Sequence, residues 1–203
     1  RDPQRLSRIL NAPQCPVQIV FAGKAHPADQ TGKLHLQRVY RSALDPAMGG
    51  RIAFVDDYDL HVAHFIVQGC DVWLNNPRKP LEASGTSGMK ASLNGVPNLS
   101  VGDGWWAEGY TGQNGWLIDG AALGDDPDTA DEADAQALYR LLEQEVVPAF
   151  YDRDERNIPR RWLQVVREAI RTVAPRFSAR RMVKQYVKEM YCPVINAGRR
   201  TPA

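Results

Sequence analysis

The sequence predicts an α/β fold, in which a parallel sheet with crossover helices gives way to a helical tail. Three observations carry this. From about Pro16 to Asp119, short apolar runs alternate with helical patterns, the order expected of parallel strands joined by helices. Beyond about Asp125 the short runs disappear, and apolar residues recur only at helical spacing. A stretch rich in Gly, Ser and Thr, Pro80 to Gly95, follows the third strand candidate and leads into a helix, at the strand edge where parallel sheets bind ligands.

Taken in order, Gln4 to Leu10 reads as a helix. Pro16 to Ala22 reads as a strand that ends at Gly23 and a polar turn. Leu36, Val39, Tyr40, Ala43 and Leu44 recur at helical spacing. Arg51 to Val55 is a second strand, and Leu60 to Val67 a short helix that is apolar almost all round. Val72 to Leu74 is a third strand, closed by the turn signals Asn75-Asn76-Pro77. Val96 to Val101 and Trp116 to Ile118 are further strands, with a Gly-rich loop between them. The acidic run Asp125 to Asp134 is a surface linker or helix start. After it Ala135, Leu138, Leu142 and Val146 share a helical face, and Pro148 and Pro159 punctuate. Trp162, Val165, Val166, Ala169, Ile170 and Val173 follow an i, i+3, i+4, i+7 course, repeated by Met182, Val183, Tyr186, Val187 and Met190. The boundary falls between a sheet-bearing portion, 1–124, and a helical segment, 125–203, expected to pack on the same domain. A doubly wound domain normally opens with a strand, so the initial helix suggests a start inside a domain.

The composition is that of a globular protein. Of the 203 residues, 43% are hydrophobic and 24% charged, enough apolar side chain for one well-buried domain. The formal net charge of +1 gives no electrostatic reason to expect nucleic acid or an anionic membrane surface as partner. No apolar run approaches the roughly 20 residues that span a bilayer, and Arg1 to Arg5 is too polar for the core of a signal peptide. Cys15, Cys70 and Cys192, odd in number and widely spaced, read as buried free thiols of a cytoplasmic protein.

The chemistry concentrates in Pro80 to Gly95. Gly85 and Gly88 let the backbone approach a ligand closely, and Thr86 and Ser87 offer hydroxyls and a cap. Free N–H groups and the positive end of the helix dipole make such a turn a cradle for phosphate. Glu82 is an acceptor for sugar hydroxyls or a cation. Lys90, one turn inside the helix, suits a Schiff base or a fixed positive charge. On the residues alone, a helix-capping turn with Lys90 solvated accounts for the same stretch.

The string Glu82-Ala83-Ser84-Gly85-Thr86-Ser87-Gly88-Met89-Lys90 resembles the pyridoxal-phosphate lysine motif of α-glucan phosphorylases, Glu-Ala-Ser-Gly-Thr-x-x-Met-Lys. Gly23-Lys24-Ala25-His26-Pro27 is similar to the family's Gly-Lys-Ala-x-Pro, Phe54 to Tyr58 to its Asn-Tyr element, and Asp103-Gly104 to the loop beyond the cofactor helix. Ser87-Gly88, Asp59 and Trp105-Trp106 depart from the mammalian-type enzymes and look like the shorter bacterial and archaeal branch. Phosphorylation and nucleotide allostery are therefore not carried over.

The resemblance implies a Rossmann-like carboxy-terminal portion of a two-domain GT-B glycosyltransferase, whose amino-terminal domain forms the other wall of the cleft. It implies phosphorolysis of an α-1,4-glucan such as glycogen, starch or maltodextrin. Inorganic phosphate is the co-substrate, α-glucose 1-phosphate the product, pyridoxal 5'-phosphate the cofactor, and configuration is retained. Lys90 matches the Schiff-base lysine. Thr86, Ser87 and Gly88 match positions that hold the cofactor phosphate and the substrate phosphate beside it, and Tyr58 a tyrosine near the cofactor. Glu82, Ser84, Gly85 and Thr86 match substrate positions, the first three of them against glucose hydroxyls. Asp103 and Gly104 receive no role. Neither the family's upstream Lys-Arg pair nor the amino-terminal domain is found, so this chain by itself, with half the cleft absent, is expected to be inactive. A homo-oligomer is compatible with the sequence, and no metal is implied.

Two rivals remain at this stage: a nucleotide-sugar GT-B glycosyltransferase of the glycogen or starch synthase type, and a non-catalytic carbohydrate-binding module. Among other residues, Lys24 has a phosphate-contacting and a merely solvated reading. Trp105, Trp106 and Tyr110 fit sugar stacking or core packing alike. His61 and His64 fit packing or surface roles, and Asp56-Asp57 a turn.

Overall fold

The computed structural model describes residues 1–122 and 124–198, and it is a mixed α/β structure with parallel strands. The elements run α1 (Pro3–Leu10), β1 (Ile19–Ala22), α2 (Gln30–Leu44), β2 (Ile52–Val55), α3 (Leu60–Gly69), β3 (Trp73–Asn75), α4 (Thr86–Leu93), β4 (Asn98–Val101), α5 (Trp105–Gly109) and β5 (Gly115–Ile118). The helical part is α6 (Pro127–Leu141), α7 (Val147–Tyr151), α8 (Arg160–Arg176), α9 (Ala179–Tyr186) and α10 (Cys192–Gly198).

Local chemistry sets most helix starts. Asp2, Asp29, Asp59, Asp126 and Ser178 each accept a backbone N–H of the first turn they precede. Pro3 and Pro127 occupy the first helical position, where the missing N–H costs nothing. Asp59, one of the departures from the mammalian pattern, caps α3 in this way, its Oδ1 accepting Val62 N–H at 2.8 Å.

The strands form two parallel ladders, β1–β2 and β3–β4–β5. Ile19 pairs with Ile52, Trp73 with Asn98 and Asn98 with Gly115. The main core lies between the second ladder and the helices after it. Leu99, Val101, Trp116 and Ile118 meet Ala137, Val146, Ala149 and Trp162. Trp162 lies 5.5 Å from Trp116 and 5.0 Å, edge to face, from Phe150. A smaller cluster joins Leu10, Met48 and Ile52 under β2.

Several expectations need correction. The first strand is shorter than its apolar run, because Val17 N–H is used by Leu10 O and Pro16 O by the Tyr151 hydroxyl. The loop between β4 and β5 contains a helix, α5, that its glycines conceal. Pro148 does not break the tail, since it lies in the first turn of α7, continuous with α6 through a π-helical turn at Leu142–Val146. The cysteines are unpaired but not buried: Cys15 and Cys70 are half-buried and Cys192 is exposed. None of the described helices is long and apolar enough to cross a membrane.

Candidate functional site

Gly85 opens α4 in the left-handed region, φ 80° and ψ 44°, and no side chain caps the helix. Thr86 and Ser87, expected to supply the cap, are instead its first two residues. Their backbone N–H groups donate to no protein acceptor among the described residues, and Gly88 N–H bonds back to Gly85 O at 3.1 Å. An eight-residue helix thus begins with amides free for an anion.

The two faces of α4 differ. Gly88, Ala91 and Ser92 are buried, whereas Thr86, Lys90 and Leu93, at i, i+4 and i+7, are exposed. Asn98 of β4, wholly buried, donates through Nδ2 to Gly88 O at 3.1 Å and to Ser92 Oγ at 2.8 Å. A Cβ at residue 88 would collide with Asn98 Oδ1 and come within 2.9 Å of Trp105 Nε1. Glycine there is a condition of the helix lying against β4 and α5. Met89 packs on the cluster of Trp105, Trp106 and Val173. Lys90 is consequently turned outward on the face it shares with Thr86, and it forms no ion pair among the described residues.

The segment before the helix is fastened by the loop after β4. Asp103 Oδ2 accepts Glu82 N–H at 2.9 Å, while its Oδ1 accepts Gly104 N–H, also at 2.9 Å. Trp105 N–H donates to Ser84 O at 2.8 Å. Gly104 has φ 51°, and a Cβ on it would stand 2.7 Å from Ser84 O and 2.8 Å from Glu82 Cγ. The pyrrole edge of Trp105 lies under Gly85 and Gly88. Trp105 and Trp106 are buried and 5.0 Å apart, so core packing rather than sugar stacking accounts for them.

Other candidates lie apart. Tyr58 is half-buried between β2 and α3 and makes no hydrogen bond to the cradle among the described residues. Lys24 ion-pairs with Asp57 at 2.6 Å, which holds the Asp57 carboxyl below its usual range. Both line a cleft of about 520 Å³ with Lys33, Tyr40 and Arg41, and Lys90 does not face it. His61 and His64 stack edge-on against Phe65. Asn98 is the site residue that sequence reasoning missed. The available signal was an amide side chain in a short strand whose other members are Leu99, Ser100 and Val101.

The carbohydrate phosphorylase family model matches residues 4–109, more than half of the chain and the whole of the cradle. The chain is 54% identical to the glycogen phosphorylase of Aquifex aeolicus over 96% of its own length. It is 51% identical to that of Mycobacterium tuberculosis over 99%, and 51% identical to the maltodextrin phosphorylase of Thermococcus litoralis over 94%. It spans only 22% to 28% of the length of these relatives. With an anion cradle of the family's composition at a strand edge and a family match across it, the chain belongs to the carbohydrate phosphorylase family.

Proposed function

We propose that this chain is the cofactor-bearing portion of an α-1,4-glucan phosphorylase, which converts glycogen, starch or maltodextrin and inorganic phosphate into α-glucose 1-phosphate with retained configuration. The observation that carries the reading is the open face of α4. Thr86 and Lys90 are both exposed there, one turn apart, on a helix that starts uncapped through a left-handed glycine. That arrangement fits pyridoxal 5'-phosphate, which needs an accessible amine and N–H donors for a phosphate.

In this reading Lys90 anchors the cofactor, and the Thr86 and Ser87 amides and hydroxyls offset phosphate charge at the positive helix end. When bound, the cofactor supplies its phosphate group as proton donor and electrostatic partner to the substrate phosphate. Gly85, entered in the left-handed region, would let a phosphate come close to the free amides, whereas Gly88 serves the packing of α4 on Asn98 and Trp105 and not the ligand approach expected of it. Glu82, Ser84 and Gly85 hold glucose hydroxyls and so fix the sugar against the attacking phosphate. Tyr58 matches a tyrosine near the cofactor in the family, although here it makes no hydrogen bond to the cradle among the described residues. The rest of a longer chain, on the pattern of the relatives, supplies further cations and the opposite wall. We place the protein in the cytoplasm, a reducing compartment that suits its unpaired thiols.

The test is borohydride reduction of the full-length protein with pyridoxal phosphate, followed by peptide mass spectrometry and a phosphorolysis assay. Label on Lys90, and glucose 1-phosphate release that Lys90→Ala lowers by about a hundredfold or more, is the expected result. Label elsewhere, or turnover indifferent to Lys90→Ala, would sink the reading.

A further inference from the structure

The two halves of the cradle rest on supports that differ except at Trp105, which bonds Ser84 O through its N–H and packs with Met89 through its ring. Helix α4 is held by Asn98, through Gly88 O and Ser92 Oγ, and by Met89 in the tryptophan cluster. The segment Glu82–Ser84 is held by the loop after β4 alone among the bonds described. Asp103 accepts the Glu82 N–H, Trp105 N–H donates to Ser84 O, and Gly104 leaves no room for a side chain against either. Asp103 is fixed in turn by its second oxygen on Gly104 N–H. A carboxylate that accepts from two backbone amides is a stiffer support than a neutral acceptor, because both bonds are charge-assisted.

We propose that Asp103 is a positioning residue for the sugar half of the site. It sets where Glu82 and Ser84 present their polar groups to the glucosyl unit, and it leaves the cofactor half, Thr86 to Lys90, unaffected. This rests on the phosphorylase reading above and deepens it. Asparagine in place of Asp103 turns one acceptor oxygen into a donor, so one of the two N–H groups loses its partner. Small displacements of positioning groups are costly, on the order of a hundredfold per ångström.

The test compares full-length wild type, Asp103→Asn, Asp103→Glu and Gly104→Ala. For each, reductive labelling at Lys90 and the KM for glucose 1-phosphate in the direction of chain elongation are measured. Expected are Lys90 labelled to the wild-type extent in all four, and a KM raised about tenfold or more in Asp103→Asn and Gly104→Ala. Asp103→Glu, which keeps the carboxylate, should recover part of the loss. A merely structural role would lower labelling and turnover together, and that outcome overturns the proposal. So does a KM within about twofold of wild type in both variants. If Asp103→Asn does not fold, Gly104→Ala decides, since it presses on the same segment with the carboxylate intact. Absence of label on wild-type Lys90 is a different failure, because it removes the phosphorylase reading and this inference with it.

Discussion

At the scale of single residues, glycines and one asparagine decide the geometry. Gly88 lies where a side chain would meet both Asn98 Oδ1 and the Trp105 indole. Gly88→Ala should therefore destabilise the fold by about 1–3 kcal/mol, the range for overpacking a filled site, and, on the proposed function, weaken cofactor retention as α4 lifts off β4. Urea unfolding monitored by tryptophan fluorescence measures the first, and an unchanged midpoint would mean that Asn98 yields freely. This position also marks how far the sequence was legible. The Gly-rich turn and the helix after it could be read from residue types and spacing, which left both a ligand-facing and a solvated Lys90 open. That Gly88 faces inward while Thr86 faces out follows from what α4 packs against. Asn98 and Trp105 act at a distance in the chain that periodicity does not report.

At the scale of elements, helix α6 is tied to the loop after β3 by charge. Arg78 forks onto Asp131, with Nε at 2.8 Å and Nη2 at 2.7 Å, and Arg1 adds a contact at 2.8 Å. The Arg78 hydrogen bond is the main reason that the Asp131 carboxyl falls from its ordinary 3.8 to about 2. The folded value lies below the unfolded one, so the ionised pair stabilises the fold above about pH 4. That contribution fades as the pH drops through about 2. Arg78→Ala should bring the Asp131 pKa back toward its ordinary value, with Arg1 still holding it partly down. A carboxyl titration by NMR reads this directly, and an unmoved value would show that Arg1 is the controlling partner. The acidic run that contains Asp131 was legible as a helix start, since Asp126 and Pro127 are cap and first-turn residues. The partners Arg1 and Arg78, 130 and 53 residues away in the chain, were not. Helix α5 was hidden for a related reason: five residues bounded by Gly104 and Gly109 are too short to display a period.

At the scale of the whole molecule, the two ladders differ in how far they satisfy their own sequences. Strand β4, Asn98 to Val101, is buried along its length between β3 and β5. Strand β1 has the composition of such a central strand, with Ile19, Val20, Phe21 and Ala22 apolar on both faces. Among the described residues it nevertheless pairs only with β2, and Val20 is 52% exposed. Strand β3 likewise pairs only with β4 among the described residues, and α3, apolar nearly all round, buries none of its residues. Pattern reading assigns burial from composition. Burial here also depends on what else packs against the element, and the chain spans 22% to 28% of its relatives' length. Exposed apolar strand edges of this kind are templates for further pairing. The amides of β1 and β3 should accordingly exchange with deuterium about tenfold or more slowly in a longer protein containing this chain than in the chain by itself. The amides of β4, already enclosed, should change far less. Peptide-resolved hydrogen exchange on the two proteins distinguishes the cases. Slowing confined to β1, β3 and α3 would mean that their apolar faces are contact surfaces for the rest of that longer protein. Equal exchange throughout would mean that β1 is a stable edge strand in its own right, and that its apolar composition serves packing within the β1–β2 ladder.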